Sequence, residues 1–374
     1  MWATQWGPIS YIAMTDIVYL GPFPPPTHGQ SVATQMLYDT LCQEGFKISK
    51  FDTGGSVSPS KARRLWLFAR GCWLALMPAR MLYVSVNSHG GAMLSLGHTF
   101  CGRLSGKRIV LHHHSYRRIG RHSAVMDAIA KVAGPDALHL FNCNAMGAEF
   151  RKRYPAAKQA LTMLNTDFVG EGIVPDRSAM PQPNAPGGLT LGHMCNLCEE
   201  KGLGRAIDIF RAARQAGLAS RLVIAGPMSD DFAKQALEAA DREFGSDLSY
   251  LGPVYGADKA RFFQDLDVFV FPTWYADETV GIVNLEALAS GVPVISSAQC
   301  CIPSALGDAG IALSRDADLV SEALVFLRIV AQDMQGFRIR ARKQFDAMSA
   351  EQRVLLASFV DILKSALQVG PLVR

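Results

Sequence analysis

Short apolar runs with the character of buried strands alternate with helix-patterned stretches in two separate blocks of this 374-residue chain. Parallel strands need crossover connections, which helices supply, so this alternation points to an α/β protein with parallel sheets wrapped on both faces. In the first block, residues 17–21, 81–86, 108–112 and 137–141 read as strands. A helix opens after Ser31 and ends at Gly45. The second block places strands at 189–194, 221–225, 249–251, 268–271 and 292–296, with helices at 203–216, 231–244, 259–266 and 281–290. Between the blocks, residues 170–188 are rich in proline and glycine and lack periodicity, which makes them a linker. The tail at 350–368 is patterned as a helix with Val354, Leu355, Phe359, Ile362 and Leu363 on one stripe. The length agrees with two domains of roughly 150 residues or more.

With 49% hydrophobic and 19% charged residues, the chain has enough apolar surface for two cores and is not a disordered protein. No apolar run approaches the roughly 18 residues that span a bilayer, and the N-terminus lacks a basic-then-apolar leader. Met14, directly ahead of the first strand, reads as the start of translation. Eight cysteines scattered from Cys42 to Cys301 are too dilute for a disulfide scaffold and read as thiols of a reducing cytosol. Cys195-x-x-Cys198 has no second pair suited to zinc, so no metal is expected there. The net charge of +4 hides an asymmetry: residues 1–165 hold 18 Lys+Arg against 7 Asp+Glu, and residues 166–374 hold 19 against 26. A basic half joined to an acidic half suggests that the first meets a polyanion or an anionic surface.

Two glutamates eight apart, Glu278 and Glu286, flank the start of the helix at 281–290. At about 100° per residue Glu286 falls on the same face as Ile282, Leu285 and Ala289. A carboxylate on an apolar face needs a cation or ligand hydroxyls, and a structural ion pair is the plainer alternative. Glu278 precedes the helix, whose first-turn N–H groups, from Thr279, Val280, Gly281 and Ile282, attract phosphate or hydroxyl oxygens. After the strand at 189–194, the turn Asn196-Leu197-Cys198-Glu199-Glu200-Lys201-Gly202 sets a cation ahead of another helix, a combination suited to a diphosphate.

His112, His113 and His114 end a strand, and alternation sends His112 and His114 to one face and His113 to the other, which argues against a metal held by the run alone. Residues 61–77 mix Lys61, Arg63, Arg64 and Arg70 with Trp66, Phe68 and Trp73. This is either a core helix with a solvated face or a helix suited to an anionic membrane surface. No nucleic-acid-binding module is present.

Together, Glu-x7-Glu running into Ala-Leu-Ala-Ser-Gly-Val-Pro-Val-Ile, the Lys201 turn, Ala225-Gly226-Pro227 and Leu251-Gly252-Pro253-Val254 resemble the C-terminal domain of the group 1 glycosyltransferases, glycosyltransferase family 4. The Gly21-to-Gly29 loop and Val110 to Ser115 resemble the same family's acceptor domain. The resemblance implies a GT-B fold: two doubly wound Rossmann-like domains facing a cleft, at 14–170 and 186–348, with 349–374 crossing back to the first. It implies a retaining, metal-independent hexosyltransferase without a cofactor, using a UDP- or GDP-linked sugar and a lipid-linked or saccharide acceptor. Glu286 would hold the ribose and Glu278 the hexose. Lys201 would hold the diphosphate, with Gly29 and Gln30 facing it from the other domain and Gly252, Val254 and residues 279–282 completing the donor side. Asn196 stands where many members carry an arginine, and His114 or His112 would act beside the sugar. The implied location is cytoplasmic, peripheral on the inner face of the plasma membrane. A GT-B sugar-nucleotide epimerase and a catalytically silent nucleotide-binding scaffold are the alternatives.

Overall fold

A computed structural model of the chain describes residues 15–25, 29–54, 60–87, 89–169, 187–316 and 318–368. The proposed start at Met14 and most of the linker lie outside them. The first sheet joins β1 (Thr15–Gly21), β2 (Ile48–Asp52), β3 (Ala79–Val86), β4 (Arg108–His113), β5 (Leu138–Phe141) and β6 (Gln159–Thr162) in the order β2-β1-β3-β4-β5-β6. The second joins β7 (Leu189–Met194), β8 (Ala219–Ala225), β9 (Leu248–Tyr250), β10 (Val268–Phe271), β11 (Val294–Ser297) and β12 (Gly310–Leu313) in the order β12-β11-β10-β7-β8-β9. All pairings in both sheets are parallel. The central strands β3, β7 and β10 are buried along nearly their whole length, as continuous apolar runs between two helical layers must be.

In each sheet the strand order reverses once, between β1 and β3 and between β7 and β10. In open α/β sheets ligands bind in the crevice beyond the carboxyl ends of the strands at that reversal. The start of helix Gly29–Gln43 and the loops after β7 and β10 are therefore placed at the cleft by topology alone.

Helix Met334–Gln368 is continuous for 35 residues and runs from one domain to the other, so the expected boundary at 348/349 falls inside it. Its first part buries Phe337, Ala341 and Phe345 in the C-terminal core, and Arg338, fully buried, donates to Asp267 at 3.0 Å. Farther along, Phe359, Val360 and Leu363 join the N-terminal core around Tyr19 and Tyr83. Gln352 accepts from Leu164 N at 2.7 Å and donates to Asp167 at 2.8 Å, which fixes the crossing. The expected apolar stripe is corrected in part: Phe359 and Leu363 are buried, whereas Val354 and Ile362 are 70% and 42% exposed.

A second correction concerns sulfur. Cys143 and Cys301 form a disulfide, so the cysteines are not all thiols. Their separation of 158 residues carries no spacing signal, and only the meeting of the two domains brings them together.

Candidate functional site

A cavity of about 290 Å³ lies where the two domains face each other. From the N-terminal domain it is lined by Gly29 and Gln30 at the start of helix Gly29–Gln43, by His114 and Ser115 after β4, by Asn142 after β5 and by Asn165 after β6. Gln30 is held by Nε2 donating to Ser85 Oγ at 3.0 Å and to Val86 O at 3.1 Å. A Cβ on Gly29 would stand 3.2 Å from Ile282 Cδ1, so a bare backbone lets the facing domain approach here.

From the C-terminal domain the cavity is lined by Asn196 and Lys201 after β7 and by Tyr275 and residues 277–282 after β10. The two loops brace each other. Trp274 N donates to Glu200 O at 2.9 Å, and Arg205 Nε donates to Pro272 O at 2.8 Å. Gly202 lies at φ +92° with Pro272 O only 2.4 Å from where a Cβ would stand, so this turn accepts no side chain. Helix Ile282–Ala289 begins at the cavity wall after Gly281.

Lys201 Nζ lies 3.3 Å from Glu278 Oε2 and 5.1 Å from the centre of the Tyr275 ring. Burial opposes the charge on Lys201, but the Glu278 carboxylate, together with neighbouring Cys195 and Tyr275, outweighs burial and holds the ammonium above its ordinary pKa. The site therefore presents a permanent cation and a helix N-terminus to the same space, which is the chemistry that stabilises an accumulating diphosphate charge.

Several links cross the cleft around Glu278, among them a backbone bond from Tyr116 N to Asp277 O at 3.3 Å. Ser115 Oγ donates to Asp277 Oδ1 at 2.5 Å, and Arg117 Nε donates to Asp277 Oδ2 at 2.9 Å. Asn142 Nδ2 donates to Thr279 Oγ1 at 2.9 Å, and the Cys143–Cys301 bond lies behind it.

The structure brings Gly29, Gln30, His114, Asn196, Lys201, Glu278, Thr279, Val280, Gly281 and Ile282 to one cavity. It places four other sequence candidates elsewhere. His112 sits behind His114, ring centres 3.9 Å apart, with Nδ1 2.6 Å from Tyr83 OH, and it borders a separate cavity beside Met163 and Gln352. Burial, together with neighbouring His114 and His113, holds the His112 pKa well below the ordinary value, so its ring is neutral. His113 turns to the opposite side, stacked on His139 and Phe141. Glu286 is 3% exposed and accepts from Lys259 Nζ at 2.6 Å, while Gly252 and Val254 lie outside the cavity wall. Burial raises the Glu286 pKa against the opposing pull of Lys259.

Sequence reasoning missed Asn142, Asn165, Tyr275 and Asp277. Asn142 directly follows a recognised strand end, a position that could have flagged it. Asn165 follows β6, an edge strand whose four residues gave no pattern. The chain contains two Asp-x-Asp spacings, 265–267 and 316–318, and neither borders this cavity. Asp267 is committed to Arg338 and to Thr190 N at 2.9 Å, and Asp318 caps helix Leu319–Gln332.

Residues 187–328 match the family model for glycosyl transferases group 1. Over 93 residues the chain is 37% identical to the O-antigen chain mannosyltransferase B of Escherichia coli, covering 25% of this chain and 23% of that protein. Over 131 residues it is 30% identical to the amylovoran biosynthesis glycosyltransferase AmsK of Erwinia amylovora, covering 34% and 31%. The matched stretches thus span less than a third of either curated relative. The solved structure of Anabaena Alr3699/HepE in complex with UDP and glucose superposes with a TM-score of 0.65 at 15% identity, covering 94% of this chain and 100% of that one. That likeness establishes the GT-B fold. The resemblance to the group 1 glycosyltransferases is borne out, and its sequence evidence is carried by the C-terminal domain.

Proposed function

We propose that the chain is a retaining glycosyltransferase that moves a hexose from a UDP- or GDP-linked sugar to a saccharide or lipid-linked precursor of a surface polysaccharide. The Lys201–Glu278 pair, set against a helix N-terminus inside an interdomain cavity, is the observation that carries this reading. The matched relatives, whose names place them in O-antigen and amylovoran synthesis, support the acceptor class.

In this reading the bond between the anomeric carbon and the diphosphate oxygen breaks first. Lys201 and the N–H groups at the start of helix Ile282–Ala289 take up the charge left on the diphosphate. Glu278 orients the hexose hydroxyls, with His114 facing the sugar across the cavity. The acceptor hydroxyl bonds to the anomeric carbon from the face the diphosphate has left, and its proton passes to a diphosphate oxygen. Because Lys201 performs the electrostatic role, turnover is expected to persist in EDTA. A rate that collapses with chelator and returns with manganese would overturn that account. Product analysis with donor alone separates transfer from epimerisation, since an epimerised nucleotide sugar without acceptor marks the other reaction. Binding without any turnover marks a scaffold.

The acceptor side also favours a membrane-surface location. Among the described residues no helix is long and apolar enough to cross a membrane. Helix Lys61–Leu76, however, exposes Leu65, Trp66, Phe68, Trp73 and Leu76, and helix Ala92–Leu104 beside it exposes Met93, Phe100 and Leu104. Such a contiguous apolar face rimmed by cations fits an anionic lipid boundary.

A further inference from the structure

Cys143 stands two residues past β5 and leads into helix Asn144–Arg153, while Cys301 leads into helix Ile302–Leu306 after β11 of the other domain. The bond between them is a covalent tie across the cleft. It sits against the catalytic loop: Cys301 N donates to Thr279 O at 3.1 Å, and Asn142, adjacent to Cys143, donates to the Thr279 hydroxyl at 2.9 Å. Both cysteines are buried, 5% and 1% exposed, so oxidation of the thiols takes place while the domains are apart, and reduction of the closed bond by a small thiol is slow.

We propose that Cys143 and Cys301 form a redox latch: as a disulfide they hold the two domains shut around the Glu278 loop, and as thiols they let the domains separate for donor entry and product release. Closing the latch takes two electrons and two protons from the pair. One thiolate attacks a low-molecular-weight disulfide such as oxidised glutathione, forming a mixed disulfide and releasing one reduced glutathione. The second thiol then displaces the other glutathione as the protein disulfide forms. Opening is the reverse, driven by a small thiol. In a reducing compartment a buried tie of this kind is transient and reports on redox state.

A third sulfur bears on the kinetics. Cys300 Sγ lies 3.5 Å from Cys301 Sγ, close enough to attack the bond. Burial pushes the Cys300 thiol up to about 12, so it stays protonated and is a poor displacing group. Release therefore depends on an external thiol rather than on internal exchange.

The test uses the full chain, equilibrated with oxidised glutathione or with a phosphine reductant. Peptide mapping after alkylation is expected to show Cys143 joined to Cys301 only in the oxidised sample. Hydrogen exchange at 142–146 and 298–302 should slow on oxidation. Release of UDP or GDP and donor turnover should fall by about tenfold or more, because opening limits the cycle. Cys143→Ser and Cys301→Ser should show the reduced behaviour under both conditions, and Cys300→Ser should still switch. Free alkylation of both cysteines under oxidant overturns the latch, as does a mapped bond that leaves exchange and release rates unchanged. So does a stoichiometric zinc ion retained by Cys143, Cys300 and Cys301 in the reduced protein. Failure to bind either UDP or GDP in both states counts against the glycosyltransferase reading, while mapping and hydrogen exchange still decide the latch.

Discussion

Glu286 accepts a 2.6 Å bond from Lys259 through Oε1, whereas Oε2 is buried with no partner among the described residues. A buried carboxylate oxygen without a donor is costly, and a ligand hydroxyl would relieve that cost. Replacing Glu286 by alanine is expected to weaken binding of UDP or GDP by about 1–3 kcal/mol, the cost of losing charged hydrogen bonds to a ribose. Burial raises the Glu286 pKa, so the carboxylate is protonated at a higher pH than an exposed glutamate, and nucleotide affinity should fall early on acidification. Calorimetry on the wild type and Glu286→Ala decides it, since equal affinities would leave Glu286 and Lys259 as a purely structural ion pair. At this scale the sequence showed charge types and missed partners. Glu278, Glu286 and Lys201 stood out because an apolar helix face or a helix start surrounds them in the chain itself. Lys259 pairs across 27 residues, Asn142 with Thr279 across 137 and Ser115 with Asp277 across 162, distances at which no periodicity connects them.

Helix Lys61–Leu76 buries Leu67, Gly71 and Ala75 and leaves its two tryptophans about half exposed, Trp66 at 55% and Trp73 at 46%. The alternative that these aromatics fill the N-terminal core is thereby removed. Arg70 stacks over Trp73 with its guanidinium 4.1 Å from the ring centre, so cation and aromatic present one surface. The expected result is cosedimentation with anionic vesicles that weakens in salt and on Arg63→Glu/Arg64→Glu, each cation contributing about 1 kcal/mol near the surface. Trp66→Ser/Trp73→Ser should weaken binding at any salt while leaving the unfolding temperature nearly unchanged, because the rings are not core. Equal binding to neutral and anionic vesicles would overturn the anionic preference, and no binding to either would leave a soluble acceptor. Elements were legible where both faces of a strand are buried. The central strands read as apolar runs, but β2 (Ile48–Asp52) and β6 (Gln159–Thr162) lie at sheet edges, where one side is solvated and the apolar run disappears.

Among the described residues the two-domain body holds five buried histidines that the fold keeps neutral. Burial lowers His98, His139 and His193 to about 4 from an ordinary 6.5, and pushes His112 and His113 well below it. His98 packs between helices Lys61–Leu76 and Ala92–Leu104, where a Cβ on Gly71 would stand 2.2 Å from its Nε2. His193 lies in β7 with Nδ1 2.8 Å from Val270 O, and His113 and His139 contact each other at 3.0 Å. When the folded pKa lies below the unfolded one, both states are neutral above the unfolded value and the group has no effect on stability there. As pH falls through about 6.5 the unfolded chain takes up protons that the folded chain refuses, so stability declines until the folded pKa is reached. Each such histidine contributes up to about 1.4 kcal/mol per pH unit in that window, and several act together over both domains. Urea midpoints should therefore drop steeply between about pH 6.5 and 5, before most carboxylates begin to titrate. His98→Met, which keeps the ring site apolar and filled, should reduce that slope by about one proton. A flat midpoint across the window, or an unchanged slope in His98→Met, would mean that these rings are protonated in the folded protein and that the interior is wetter than its packing indicates.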